Sequence, residues 1–215
     1  MRELSMENVE LLVKTIADTA VGNIGYFSEL DSAAGDADFG VSLATGFQAV
    51  LDRWETLDRA CIGSFLMKVG MVIISTVGGC SGPLWGTGFM RAGMSAKGKK
   101  ALTLADLVTM LESAMDGIMV RGGAQLGDKT LLDALASATE ALEEWSRNDP
   151  QDVVAALAAA ASGATAAIES TRGWVAKRGR QCFLGERSRG TLDPGIVAVA
   201  TMMQAGVAAL KGIDS

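Results

Sequence analysis

The chain contains no histidine among its 215 residues and only three cysteines, Cys61, Cys80 and Cys182. Without histidine it cannot itself carry a phosphate as phosphohistidine. The cysteines are odd in number and lack metal-ligand spacing, and the chain opens "MRELSMENVE" rather than with a basic and then apolar leader. These features predict a reduced, cytoplasmic protein.

Basic clusters and long uninterrupted apolar runs are also missing. The net charge is -6 without a run of lysine or arginine, which argues against duplex nucleic acid as a partner, because neutralising phosphates needs clustered cations. The longest apolar stretches are "CIGSFLMKVGMVIISTV", interrupted by Lys68, and "VVAALAAAASGATAAI", which is mostly alanine. Neither is typical of a membrane span. In so acidic a chain, any phosphate ligand needs local compensating charge.

The apolar residues that are present follow helical spacing, as in Val9, Leu12, Val13 and Ile16. With 49% hydrophobic residues the chain can bury a substantial core, so we expect one domain over residues 1–215. The spacing predicts an all-α fold of eight helices. They are expected at about residues 6 to the twenties, 40–58, 61–77, 83–96, 103–120, 129–146, 151–172 and 194–211.

Four loops between these helices combine glycine with polar or acidic residues. They contain "GDADFG", "GGCSGPLWGTG", "RGGAQLGDKT" and "GRQCFLGERSRGTLDPG". In a helical bundle with short connections, every second loop lies at the same end. The pattern therefore predicts a shared site at one rim.

The first loop crowds Asp31, Asp36 and Asp38 into eight positions. Carboxylates at this density repel one another unless a cation neutralises them, so one interpretation is a Mg2+ site completed by phosphate oxygens. The alternative is a solvated turn with a helix cap. An EF-hand is excluded, because the twelfth position from Asp36 is Phe47 rather than glutamate.

The other loops each leave two interpretations open. "GGCSGP", with Ser81 and Pro83, suits an anion cradle or an ordinary turn between helices. "LDPG" suits a ligand site or simple capping by Asp193. "GGAQLGDKT" is close to a P-loop, but Asp128 precedes the lysine and a helix rather than a strand comes before it, so we interpret it as a glycine-rich ligand loop.

Taken together, four stretches resemble in order and spacing the nucleotide-binding L subunit, or domain, of dihydroxyacetone kinases. They are "ELDSAAGDADFG", "GGCSGPLWGTG", "GGAQLGDKTLLDAL" and "GRQCFLGERSRGTLDPG", and the resemblance spans about residues 4–212. It implies an eight-helix antiparallel barrel with a nucleotide, ADP or ATP, at one rim. It also implies a kinase subunit that transfers a phosphoryl group to an alcohol.

The resemblance implies roles for individual residues. Asp31, Asp36 and Asp38 would coordinate the Mg2+ that bridges the nucleotide phosphates, and Arg180 would neutralise charge during transfer. The residues implied to line the nucleotide are Phe39, Gly40, Val41, Ser42, Cys80, Ser81, Gly122, Leu131, Arg180, Asp193, Pro194 and Gly195.

The resemblance further implies that this chain works with partners. A K subunit would hold dihydroxyacetone through a histidine. In the phosphotransferase-system branch of the family, bound ADP is rephosphorylated in place from a phosphohistidine on an M subunit, and we expect this branch. The alternatives are an ATP-dependent kinase subunit for another short ketose or sugar, and a nucleotide-loaded regulatory protein.

Three positions depart from the family pattern. Phe39 stands where the family usually has histidine, and Thr191 stands where it often has histidine. Because of these two changes, the ketose substrate is left undetermined. Ala37 replaces a common glycine, a mild change provided that its φ angle is negative.

Overall fold

The computed structural model describes residues 1–33, 35–148 and 151–213. Within these ranges most residues are helical and the only strands have two residues each, which confirms the prediction of an all-α fold. The α-helices are α1 (Met6–Gly22), α2 (Ile24–Ser32), α3 (Phe39–Asp52), α4 (Ile62–Thr76), α5 (Ser81–Ser95), α6 (Leu104–Gly122), α7 (Leu131–Asn148), α8 (Val153–Ser170) and α9 (Pro194–Ile213). Short 3-10 segments span Trp54–Thr56 and Arg180–Ser188.

Eight of the helices form a closed ring. From α3 to α9 each helix packs against the next in sequence, and α1 closes the ring by packing against both α9 and α3. The shared interior holds fully buried Phe47, Phe65, Leu132 and Ile196, and its side chains also line an apolar cavity of about 270 Å³. Because consecutive neighbours with short connections run antiparallel, α3, α5, α7 and α9 all begin at the same end of the barrel.

The opposite end is fixed by a short strand pair and by helix caps. Strand β1 (Leu4–Ser5) pairs antiparallel with β2 (Ala101–Leu102), immediately before α1 and α6 begin. Ser5 and Thr103 then cap these helices through reciprocal hydrogen bonds with Asn8 and Asp106. The pairing therefore ties the starts of two helices that are far apart in sequence.

Glycines allow an unusually close approach between α4 and α5. Gly63 lies against the backbone of Gly93, and Gly70 against that of Gly86. A Cβ atom on Gly70 would lie 2.5 Å from the Gly86 carbonyl oxygen and 2.8 Å from the Met90 amide nitrogen. Both helices carry the glycines seven positions apart, so the contact extends over two turns.

Helix α2 is absent from the sequence-based prediction. It has nine residues and buries only Phe27 and Asp31, so it has too little apolar periodicity to be recognised. It packs outside the ring, on α3 and α9. The helix predicted over 40–58 is also shorter than expected, since α3 ends at Asp52 and a 3-10 turn follows.

Within the described part of the chain, two helices, α8 and α9, are long and apolar enough to cross a membrane by length and composition alone. Both belong to the ring, where α8 packs between α7 and α9, and α9 packs between α8 and α1. Helices that pack in the core of a barrel are expected to be apolar. These two helices are therefore only weak evidence for a membrane span.

We predict that Gly70→Ala destabilises the barrel by about 1–3 kcal/mol, because the new methyl group must push α4 and α5 apart. Gly25→Ala on α2 is the matched control, since nothing lies within 4 Å of a Cβ atom there. It should be neutral or stabilising by about 0.5–1 kcal/mol. Urea unfolding measures both changes, and equal free energies of unfolding for the two variants would contradict the close-packing argument.

Candidate functional site

The four glycine-containing loops meet in a cleft of about 520 Å³ at the end of the barrel where α3, α5, α7 and α9 begin. The first turns of all four helices line it, through Ser42, Ser81, Leu131 and Gly195 among others. The N-terminus of a helix carries the positive end of the helix dipole. The cleft therefore suits an anion although the chain as a whole is acidic.

The three aspartates predicted to bind metal gather at the edge of this cleft. One carboxylate oxygen from each of Asp31, Asp36 and Asp38 lies within 4.8 Å of the others. Asp31 is buried, and its Oδ2 accepts the backbone N–H groups of Asp38 at 3.1 Å and Phe39 at 3.3 Å. The other two carboxylates face solvent. This set of hard oxygen ligands fits Mg2+, which is bound through a few carboxylates together with phosphate oxygens.

The loop carrying Asp36 and Asp38 is shaped by its backbone. Ala37 has a φ of 60°. Its replacement of the family's glycine would be mild only at a negative φ, so here the change is not mild. A left-handed conformation costs a non-glycine residue about 1–2 kcal/mol. Gly35 is required for a different reason, because a Cβ atom there would collide with Oδ1 of Asp31. The chain thus accepts strain to hold the acids together.

Arg180 is the cation that faces the acid cluster. Its Nη2 lies 2.6 Å from Asp36 Oδ2 and 4.0 Å from Asp38 Oδ2. Partial burial, followed by the charge of Asp36, raises the pKa of Asp38, and Arg180 acts in the opposite direction. The guanidinium therefore partly neutralises carboxylates that are also placed to bind a metal ion.

Two further arginines, Arg121 and Arg178, line the same cleft and were missed from the sequence. The Nε of Arg178 lies 3.6 Å from Oδ2 of Asp128, a residue of the loop between α6 and α7. The only sequence signal was their position next to Gly122 and Gly179, at the edges of two glycine-containing loops. Together with Arg180 they provide the local positive charge that a phosphate ligand needs here.

Asp193 sits at the start of α9, where its Oδ1 accepts the N–H of Ile196 at 2.8 Å. Burial is the main cause that raises the pKa of Asp193 to about 7. The same burial favours the neutral form of the side chain, which reduces its repulsion of an anion in the cleft.

Most of the residues implied to bind the nucleotide or its Mg2+ line the cleft, and three do not. Gly40 is buried against Ile24 and Ser28, Val41 points away and is 55% exposed, and Asp36 lies beside the cleft in the acid cluster. The lining members are Asp31, Asp38, Phe39, Ser42, Cys80, Ser81, Gly122, Leu131, Arg180, Asp193, Pro194 and Gly195. Residues added by the structure include Gly78, Gly79, Trp85, Arg121, Thr130, Arg178 and Gln181.

Comparison with known families decides the relationship. Residues 33–208 match the DAK2 domain. The chain belongs to this family. The resemblance drawn from the four loop motifs is therefore confirmed.

Relatives in the DAK2 family include kinase subunits. The chain is 41% identical over 179 residues to the ADP-binding subunit DhaL of the PEP-dependent dihydroxyacetone kinase of Escherichia coli, covering 83% of this chain and 85% of the relative. It is 32% identical over 200 residues to the L-erythrulose 1-kinase of Mycolicibacterium smegmatis, covering 92% of this chain and 34% of that enzyme.

A solved structure shares the fold. The dihydroxyacetone kinase of C. freundii in its native form superposes with a TM-score of 0.72 at 24% identity. The match covers 92% of this chain and 33% of that kinase, so this chain corresponds to one third of the larger protein.

We predict that Asp36→Asn and Asp38→Asn weaken the binding of Mn2+ together with ADP. The loss should be at least the roughly tenfold effect of removing an outer-shell partner. Electron paramagnetic resonance of Mn2+ measures the free ion directly. Asp18→Asn, an exposed change on α1, is the control. Binding unchanged from wild type in both cluster variants would show that the metal lies elsewhere.

We predict that Arg180→Ala has the opposite effect, an increased affinity for Mn2+, when the ion is added without nucleotide. The guanidinium 2.6 Å from Asp36 competes with the ion, so its removal should tighten binding of the bare metal. The same titration checks this expectation at low salt. Weaker binding of bare Mn2+ in the variant would mean that Arg180 supports the metal site rather than competes for it.

Proposed function

We propose that this chain, as a single domain, is the nucleotide-binding subunit of a dihydroxyacetone kinase. It would hold ADP or ATP with Mg2+ at the rim and pass a phosphoryl group to dihydroxyacetone on a separate K subunit. The observation that carries the proposal is the meeting of the acid cluster, Arg180 and four helix N-termini at one cleft. The 41% identity to an ADP-binding subunit of such a kinase supports it.

The acid cluster and the loops would divide the work of binding. Asp31, Asp36 and Asp38 would hold Mg2+, which when bound neutralises phosphate charge and orients the transferred group. The backbone amides at the start of α5, where Gly79, Cys80 and Ser81 line the cleft, would donate to phosphate oxygens. The nucleoside would lie against the apolar part of the lining, which includes Leu84, Leu131 and Pro194.

Arg180 would act on the group in transfer. Phosphoryl transfer depends mainly on positioning and on neutralising charge that spreads over the transferred oxygens. Arg180 lies at the mouth of the cleft with its side chain 58% exposed, so it can reach a group that bridges two subunits. No side chain in the cluster has to remove a proton, and the aspartates serve as ligands.

The remaining steps would require partner subunits. Because the chain has no histidine, a histidine that holds the ketose must lie on the K subunit. We propose a phosphotransferase-system type of reaction, in which bound ADP is recharged from a phosphohistidine on an M subunit. The PEP-dependent relative in Escherichia coli supports this choice of donor. A cytoplasmic location is part of the same proposal.

A second candidate is a kinase subunit for another short ketose, using free ATP. The 32% identity to an L-erythrulose 1-kinase favours it. So does Phe39, whose ring packs edge-on against Phe27 at 6.2 Å between centroids and places an apolar side chain at the cleft. Mass spectrometry of the natively purified chain separates the two donors: retained ADP supports the first proposal, and freely exchanging ATP supports the second.

The test of the transfer role is Arg180→Ala, assayed with K and M subunits, dihydroxyacetone and phosphoenolpyruvate. We expect kcat to fall by about 10²-fold or more, as for loss of a donor to developing charge. The free energy of unfolding should change by less than about 1 kcal/mol, because the ion pair is exposed.

Arg187→Ala is the matched control, since Arg187 is exposed on the same 3-10 segment and does not line the cleft. It should retain wild-type kcat. A wild-type kcat for Arg180→Ala, or no ketose phosphate from the wild-type chain with its partners, would overturn the assignment.

A further inference from the structure

Lys129 is the lysine of the "GDKT" stretch, and it points away from the cleft. Its side chain is 0% exposed, and among the described residues (1–33, 35–148 and 151–213) it is the only buried lysine or arginine. Its Nζ donates to the carbonyl oxygens of Arg172 at 3.2 Å, Trp174 at 3.1 Å and Ser188 at 2.8 Å. The ammonium thus uses all three of its donors on one segment of backbone.

These carbonyl groups lie at the two ends of the segment that carries Arg180. Residues 172–188 contain turns and the 3-10 segment, which is kinked at Gly185. Other hydrogen bonds join the same ends, from Ala176 N–H to Ser188 Oγ at 2.9 Å and from Gly190 N–H to the Arg172 carbonyl at 2.9 Å. Lys129 is the centre around which this loop closes.

The ammonium occupies its place at an energetic cost. Lys129 has a φ of 62°, a left-handed conformation, and burial lowers the pKa of its amine while Asp193 opposes the shift. Strained backbone and a buried charge persist only where the surrounding contacts fix them. Loss of the amine would leave the Trp174 and Ser188 carbonyl groups without this donor, and the loop would lose its internal support.

We propose that Lys129 is a positioning residue, which holds the loop over residues 172–188 so that Arg180 lies against the acid cluster. The neighbouring residues Thr130 and Leu131 line the cleft, so the same short stretch contacts the ligand on one side and the Arg180 loop on the other. The proposal rests on the proposed function only for what Arg180 does in transfer.

The test is Lys129→Met, with Lys177→Met as the matched control. Lys177 lies on the same loop, is 63% exposed and has its Nζ 3.8 Å from Asp128, so the control removes the same charge without touching the three carbonyl groups. Cys182, two positions after Arg180, is a native reporter of loop order, and Cys61 at the start of α4 reports on the rest of the fold. Alkylation rates at each are read by mass spectrometry.

We expect Lys129→Met to speed alkylation of Cys182 about tenfold, with Cys61 unchanged, and to lower kcat more than it raises KM. Lys177→Met should behave as wild type. An unchanged rate at Cys182 would overturn the proposal. So would equal acceleration at Cys61 and Cys182, because that indicates a general structural role.

A second variant keeps the test decisive if Lys129→Met does not fold. Lys129→Ala removes a fragment equivalent to propylammonium, which is added back in solution at a series of concentrations. Propylammonium should restore slow alkylation of Cys182, while propanol, which lacks the charge and two of the donors, should not. Rescue by both compounds or by neither would contradict the proposal.

The alkylation result is independent of the proposed function. If Lys129→Met loosens Cys182 selectively but the wild-type chain neither binds nucleotide nor supports transfer, the positioning role stands and the kinase assignment fails. If transfer is normal in wild type and Cys182 is unaffected in the variant, the positioning role fails alone.

Discussion

Closure of the helix ring is the constraint on which the site depends. Helix α1 closes the ring by packing against both α9 and α3, and because consecutive helices pack as antiparallel neighbours, four of them begin at one end. The first turns of these helices then line one cleft. An acidic chain can bind an anion there because the positive ends of helices and three arginines are concentrated at that end.

The site holds like charges close together, with one cation beside them. Asp36 and Asp38 are close enough to repel each other, and Arg180 relieves part of that repulsion. A divalent ion would do so more strongly, and the arginine would then be available to a phosphate group. The left-handed backbone at Ala37 and Lys129 is a further cost. Such strain at both loops is expected where function rather than stability fixes the geometry.

Much of the molecule was predictable from local sequence. Apolar spacing indicated eight helices, all of which have counterparts in the ring, because a core-facing stripe leaves a strong period in the sequence. The short α2 left no such signal, since it buries only Phe27 and Asp31. The four loop motifs were sufficient for the family, because four motifs in a fixed order are far more specific than any one of them.

The sequence by itself determined the all-α class, the family and the acid cluster, because these depend on residue type and on spacing along the chain. Only the tertiary structure decided that Lys129 supports a loop rather than a phosphate, that Arg121 and Arg178 join Arg180 at the cleft, and that Gly40 and Val41 point elsewhere. These outcomes depend on which loops meet at the end of the barrel and on the direction of each side chain. Both are set by contacts between residues far apart in sequence, which spacing along the chain does not encode.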